Sequence, residues 1–521
     1  MERKTYDELK GMIKDGDVVA FTTFGPAGLP MEIMANLVKE YQETKHPKDL
    51  TLISSNNLSD YLSKAGFDEF VEAGMVKSII SNILSASPIT QQAINDNKIE
   101  AYLLPQGAIA THYRNAMDHS PGLITKIGLH TQVDPRQGGG KTNDITKKDI
   151  VSLIEIGGEE YLRYTFPKVD VLLLRATYAD EYGNLFMTQE AYLGESFHAA
   201  AAVKNNGGKV IVQVKEVIPN QARNSHEVVV PGELVDYVVV NENKNLHRQL
   251  PQTHYDPTAS GEAYALIPKA FDYPFNIKKV MLRRASKFLN KDDVVGIGYG
   301  ISNDTSHLLI EEDAHDLVQL NLDLGMLGGY QGARRSMGYN YNSSAKIPHD
   351  NSWDMIYGGG LDVALLSFAE VDQYGNVNVS KLGDIANGMG GFIDIAQSVK
   401  RLVFSGTFML KSKVDLSDGK MHITDQGTRS KFVEKVQQID FNGKYAKELG
   451  QEAFYVTDRG VFELTENGLK LIEIVSGLDV QKDILDHINF DIEVAEDLRV
   501  MDESLFNVKW GGLRKSLTDG E

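Results

Sequence analysis

The chain has 521 residues, a formal net charge of −19 and no cysteine. Its length exceeds what one hydrophobic core usually supports, so we expect more than one domain. The lack of cysteine excludes disulfides, thiolate metal sites and a cysteine nucleophile, and the negative charge argues against nucleic acid or an anionic membrane as a partner.

The N-terminal residues Met1–Glu8 have no apolar core of the signal-peptide kind, and no run of 18 apolar residues occurs in the sequence. We therefore expect a cytoplasmic protein with no membrane partner. Short apolar runs alternate with the helical patterns Pro30–Tyr41 and Ile89–Asp96, which favours α/β domains with largely parallel sheets. The predicted strands are Val18–Phe21, Leu50–Ile53, Val169–Leu174, Val210–Val214, Val294–Ile297, Val363–Leu366 and Leu402–Phe404.

An internal repeat divides the chain into two related halves. The segment 169–185 reappears as 361–377, with eight identities at an offset of 192 residues. Each copy contains Tyr-Gly-Asn, which predicts a hairpin turn with Gly or Asn at positive φ. We place the domains at 1–245 and 269–521, joined by an exposed polar linker over 246–268.

Several motifs resemble nucleotide-binding or metal sites but lack the required residues. Arg136–Thr142 resembles a phosphate loop, but Pro135 occupies the position of its first glycine. The stretch 296–300 lacks the third-glycine spacing of a dinucleotide fingerprint. His112 and His198 read as packing or surface residues, and we expect no metal site. Near the C-terminus, 460–474 predicts a hairpin turning at 467–468, and 479–485 begins a helix.

Three elements together suit acyl transfer. Asp323 follows the strand-like run 317–322 and precedes several glycines, a place where open α/β sheets hold reactive groups. Gln106 follows the strand-like run 99–103 in the first half, so both side chains would enter one cleft if the halves face each other. The glycine run 387–394 offers backbone N–H groups to a developing oxyanion. Each element alone also reads as a turn, but together they supply a nucleophile and oxyanion donors.

These motifs resemble the class I acyl-coenzyme A transferases, and most closely the single-chain acetate or propionate CoA-transferases. The resemblance covers nearly the whole chain, and its most specific segments are 104–107, 133–141, 358–362, 371–379 and 388–394. It implies two CoA-transferase-type α/β domains with the active site in the cleft between them, and a homodimer or homotetramer. It also implies ping-pong exchange through an acyl-enzyme anhydride and an enzyme-CoA thioester.

The resemblance assigns roles to individual residues. Asp323 aligns with the nucleophilic glutamate of the family, Gln106 with its side-chain oxyanion donor, and Gly390 or Gly391 with its backbone donor. Coenzyme A and acyl-CoA are expected as substrates, with no tightly bound cofactor. Cleft or CoA-facing positions are expected at Gly298, Gly300, Gly358, Gly359 and Gly360.

Asp323 is one methylene shorter than the family's glutamate, and about 1 Å of lost reach costs on the order of 100-fold when the scaffold is unchanged. Two alternatives to a short-chain acyl-CoA:carboxylate CoA-transferase therefore stay open. One is an acyl-CoA hydrolase that uses the same site, and the other is a non-catalytic acyl-CoA-binding protein. The loop Phe21–Gly28 also departs from the family pattern, so the sequence does not select the acyl group.

Overall fold

The computed structural model describes residues 1–268, 273–332, 336 and 338–519. Within these residues the first half forms a ten-stranded sheet whose main strands are all parallel. Apolar side chains such as Leu172 and Leu174 are fully buried, because helices cover both faces of a parallel sheet. In spatial order the main strands are Glu2–Lys4, Tyr237–Val240, Lys209–Ile218, Val171–Asp180, Val18–Phe21, Leu50–Ser54, Val76–Ser81 and Glu100–Leu103.

The second half forms a mixed sheet that also has ten strands within the described residues. Its centre is parallel, antiparallel strands flank the centre on both sides, and the outermost strand Glu493–Val500 pairs in parallel with its neighbour. In spatial order the strands are Ala345–Lys346, Met326–Leu327, Gln319–Leu322, Val294–Ile297, Val363–Ser367, Arg401–Ser405, Glu452–Val456, Gly460–Thr465, Gly468–Ile474 and Glu493–Val500. The predicted architecture of two related α/β halves is confirmed.

The helices lie close to their predicted positions, with shifted ends. The first two predicted helices are observed as Met31–Thr44 and Pro88–Asn95. The helix expected at 479–485 is only one turn, Val480–Asp483, with Asp479 as its N-cap. The remaining helices of five or more residues in the described chain are Phe67–Ala73, Gln106–Met117, Ser196–Asn205, Ile277–Ser286, Thr305–Glu311, His349–Tyr357, Phe392–Ala396, Gly443–Glu448 and Leu513–Thr518.

The repeated Tyr-Gly-Asn segments form the same turn in both halves. Asp180 and Asp372 each accept hydrogen bonds from the backbone N–H groups two and four residues later, and from the side chain of the asparagine four residues later. Gly183 and Gly375 have φ of 91° and 73°, which only glycine adopts without strain. Antiparallel pairing on either side of each turn confirms the predicted hairpins. The hairpin predicted over 460–474 is also present.

The connection between the halves is only partly exposed, so the expectation of an exposed linker is wrong for its first part. Gln249 and Leu250 are 1% exposed, and the Gln249 amide donates hydrogen bonds to two backbone carbonyls. Leu266, farther along, is 96% exposed. Polar composition predicted exposure, but here the polar side chains satisfy buried backbone groups. In the described part of the chain no helix is long and apolar enough to cross a membrane.

Candidate active site

Two helices from different halves begin at the same place. The Gln106 helix (Gln106–Met117) starts directly after Pro105, whose fixed φ ends the preceding extended segment. The His349 helix (His349–Tyr357) starts after Pro348 in the same way. Their first residues touch, because Gln106 Nε2 lies 3.0 Å from His349 Nε2. Sequence reasoning predicted Gln106 in the cleft but did not identify His349.

His349 is held in one tautomer by its neighbours. The Trp353 Nε1–H, which can only donate, lies 2.9 Å from His349 Nε2, so that nitrogen must be the acceptor. His349 Nδ1 therefore carries the proton and donates to Glu195 Oε2 at 3.1 Å. Glu195 also accepts a hydrogen bond from Ser55. The Gln106 amide thus meets a fixed lone pair, which orients its nitrogen toward the ring.

Asp323 follows the strand Gln319–Leu322, as predicted, and its carboxylate lies deep in the site. A Cβ atom built on Gly391 would fall 2.5 Å from Asp323 Oδ2 and 2.7 Å from Trp353 Cη2, so the carboxylate and the indole both border that glycine. Burial raises the pKa of Asp323 to about 6, against the effects of the neighbouring His349 ring and the Leu324 N–H. Asp323 keeps a fraction of its surface exposed, which leaves access for a substrate.

The two predicted backbone donors differ in availability. The Gly390 N–H already donates to Asn82 O at 3.3 Å, alongside the Met389 N–H at 3.0 Å. The Gly391 N–H has no acceptor among the described residues, and Gly391 borders the Asp323 carboxylate. The geometry therefore favours Gly391 over Gly390 as the free donor.

A second buried carboxyl, Asp394, lies three residues after Gly391 in the short Phe392–Ala396 helix. Its Oδ1 accepts hydrogen bonds from the Tyr357 hydroxyl at 2.6 Å and from the Gly107 N–H at 3.2 Å. Gly107 has to be glycine here, because a Cβ would overlap the Tyr357 hydroxyl. Asp394 therefore links the first turn of the Gln106 helix to the end of the His349 helix.

Comparison with known proteins identifies the family of this site. The family model "Coenzyme A transferase" matches residues 5–241. A caffeate CoA-transferase of Acetobacterium woodii is 39% identical over 511 residues, which is 97% of either chain. The chain belongs to the class I coenzyme A transferase family. The acetate CoA-transferase YdiF of Escherichia coli K12 is 37% identical over 91% of this chain and 89% of its own.

The enzyme also has a solved structural relative. The crystal structure of the acyl-CoA transferase YdiF of Escherichia coli O157:H7 in a thioester complex with CoA superimposes with a TM-score of 0.90. That chain is 35% identical, and the match covers 98% of this chain and 96% of that one. The enzyme is therefore a CoA-transferase with the fold that its sequence predicted.

In this CoA-transferase the loop Phe21–Gly28 carries an aromatic path toward the site. The centroid of the Phe24 ring lies 5.0 Å from that of Tyr339 and 6.2 Å from that of Tyr192. The ring centroids of Tyr192 and His349 are 5.5 Å apart. The Tyr339 hydroxyl donates to Phe24 O at 2.6 Å. Sequence reasoning found only that this loop is unusual. The aromatic contacts join segments far apart in the chain, so no local pattern could reveal them.

Buried Arg175 holds the backbone of the same loop through hydrogen bonds. Its guanidinium donates hydrogen bonds to Pro26 O at 2.8 Å and Leu29 O at 3.2 Å, and it pairs with Glu190. The pKa of Glu190 is held below its usual range by Arg175 and His247, which outweigh the opposing effect of burial. This cluster fixes the backbone of the loop that contains Phe24, because the planar guanidinium presents its N–H donors in a rigid geometry.

Packing explains two of the remaining predicted glycines. Gly298 and Gly300 follow the strand Val294–Ile297, and a Cβ on either would collide with the adjacent strand Val363–Ser367. Between them, Tyr299 is 73% exposed. Their assignment to CoA stays a prediction.

The three glycines Gly358, Gly359 and Gly360 end the His349 helix. A nine-residue helix spans about 13 Å, so these glycines lie at the end away from Gln106 and His349. A role for them in facing CoA also stays a prediction.

Proposed function

We propose that the enzyme transfers CoA from a short-chain acyl-CoA to a carboxylate, with Asp323 as the covalent nucleophile. The observation that carries this proposal is the placement of Asp323 Oδ2 against Gly391, whose N–H is unpartnered among the described residues, beside the Gln106–His349 pair. An anionic nucleophile and neutral donors for a second oxygen then lie close together, as acyl transfer requires.

The exchange proceeds in balanced steps. An Asp323 carboxylate oxygen attacks the thioester carbonyl, and the C–S bond breaks to give an acyl-aspartyl anhydride and CoA thiolate. The thiolate attacks the aspartyl carbonyl of the anhydride, which releases the first carboxylate and leaves an aspartyl-CoA thioester. An incoming carboxylate reverses the sequence. No proton is consumed, and the thioester free energy is retained in the covalent intermediates.

The protein's groups suit these steps. A pKa of about 6 keeps Asp323 largely ionised at neutral pH, yet more basic than a solvated aspartate. One N–H of Gln106 faces His349 Nε2, and the other hydrogen of the same amide group has no acceptor among the described residues, so it can donate to the oxyanion. The thioester complex named for YdiF supports an enzyme-bound CoA intermediate in this family.

Trapping of Asp323 tests the proposal directly. Incubation with acetyl-CoA, followed by borohydride or hydroxylamine, is expected to modify the Asp323 peptide as read by mass spectrometry. The variant Asp323→Asn should form no adduct and lose transfer activity. Undiminished acetyl transfer to propionate by Asp323→Ala would refute the assignment.

The acetyl-transfer assay, run with and without the acceptor, decides between transfer and hydrolysis. The aspartate is one methylene shorter than the family's glutamate, so water could reach the thioester carbon beside it. Transfer requires that CoA turnover depend on an added carboxylate acceptor. CoA release that is independent of the acceptor would identify a hydrolase with the same site.

A further inference from the structure

Asp394 has no part in the exchange just described, yet its surroundings are unusual. The residue is fully buried, and its Oδ1 accepts hydrogen bonds from Gly107 and Tyr357. Its Oδ2 is buried and has no hydrogen-bond partner in the described part of the chain. An ionised carboxylate with one empty oxygen is costly in such a place, whereas a neutral carboxyl carries its proton on that oxygen.

The titration of Asp394 depends on the charged and polar groups that face it. Burial raises the pKa of Asp394 to about 7, the hydrogen bonds from Tyr357 and Gly107 oppose this, and the charge on Asp323 adds to it. Tyr357 and Tyr164 also face Asp394, and burial raises both of their pKa values well above the ordinary value. Both tyrosines therefore stay neutral, and the two aspartates titrate as a coupled pair.

We propose that Asp394 is a positioning residue of the exchange, whose Oδ1 fixes the first turn of the Gln106 helix and whose carboxyl stays neutral while Asp323 carries the negative charge. This inference rests on the proposed role of Asp323. Ionisation of Asp394 would put a second charge beside the developing oxyanion and weaken catalysis. No proton passes between Asp394 and the substrate, so the balance of the exchange is unchanged.

The variant Asp394→Asn tests the inference, because asparagine keeps the acceptor oxygen and the volume but cannot ionise. We measure kcat/KM for propionyl-CoA formation from acetyl-CoA with propionate as acceptor, between pH 5 and 9. The wild-type profile is expected to rise near pH 6 and to fall above about pH 7, by about tenfold per pH unit. Asp394→Asn should keep the acidic limb and stay within about threefold of its own maximum up to pH 9. An unchanged alkaline limb would overturn the inference.

Two further variants separate positioning from a merely structural role. Tyr357→Phe removes a hydrogen bond that favours the ionised form of Asp394, so the alkaline limb should move to higher pH. Asp394→Ala removes the acceptor for the Gly107 N–H, so kcat should fall by about tenfold or more while KM changes by less than about threefold. A structural role alone would lower the melting temperature of these variants and leave the alkaline limb in place, which counts against the inference.

Failure of the inference and failure of the proposed function give different results. If wild-type enzyme forms the Asp323 adduct but Asp394→Asn and Tyr357→Phe leave the alkaline limb unmoved, only the role of Asp394 is refuted. If wild-type enzyme forms no adduct, the proposed function fails and the role of Asp394 fails with it. Adduct formation and the associated release of acetate are measured without acceptor, so the choice of carboxylate does not affect the decision.

Discussion

Replacement of Gly391 by alanine should disable the site while leaving the fold intact. The φ of Gly391 is −85°, an ordinary value for alanine, so the backbone is not strained by the change. The new Cβ would lie 2.5 Å from Asp323 Oδ2 and 2.7 Å from Trp353 Cη2, whereas ordinary contacts begin near 3.4 Å. The carboxylate must therefore move by about 1 Å, and a misplacement of that size costs on the order of 100-fold in kcat.

The assay is acetyl transfer from acetyl-CoA to propionate, with thermal unfolding measured in parallel. Crowding of the buried indole should lower the free energy of unfolding by about 1–3 kcal/mol. Gly207→Ala is the control, because Gly207 has a φ of +77° and open space around its Cα, so alanine there costs stability without touching the site. A Gly391→Ala enzyme that stays folded and keeps kcat within threefold of wild type would refute the placement of Asp323 as nucleophile.

Two other changes test the network around Asp323. Glu195→Leu should reduce kcat by roughly 10- to 100-fold, because it removes the acceptor of the His349 Nδ1 proton and no longer holds the tautomer that accepts from Trp353. Unchanged steady-state rates would contradict the tautomer assignment. Asp394→Asn should stabilise the protein more at pH 8 than at pH 5. A pKa raised from 3.8 to about 7 means that the folded state binds the extra proton, so wild-type stability falls as pH rises from below 3.8 to above 7, with about 2–3 kcal/mol of this fall between pH 5 and pH 8. Equal shifts in melting temperature at both pH values would contradict this.

The sequence predicted the architecture well because its signals are local. Continuous apolar runs gave strands such as Val18–Phe21 and Val294–Ile297 with the observed bounds, and the repeat located both hairpins. Strand Val171–Asp180 extends six residues past the predicted end at Leu174. Its second part contains Arg175 and Asp180, whose polar side chains interrupt the apolar pattern; Arg175 donates a hydrogen bond to Pro26 O and Asp180 accepts one from the Tyr182 N–H.

The candidate site was only partly predictable. The sequence predicts where strands and helices end, and these ends are the places of Asp323, Gln106 and the glycine run. The sequence did not reveal Glu195, His349 or Asp394, because each acquires its role from a residue at least 150 positions away, as the 154-residue separation of Glu195 and His349 illustrates. Gly390 and Gly391 were equivalent in sequence, and only their three-dimensional surroundings, the Asn82 carbonyl at Gly390 and the Asp323 carboxylate at Gly391, distinguish them.

Because the candidate site draws Gln106 and Glu195 from the first half and Asp323 and His349 from the second, neither half contains the complete set of these residues. The covalent connection, in which Leu266 is exposed, links the two halves in a one-to-one ratio. A chain fused in this way brings both sets of residues to one place without an assembly step. Under the proposed function, either half made alone would be inert, and damage that separates the halves would abolish transfer even if both sheets stayed folded.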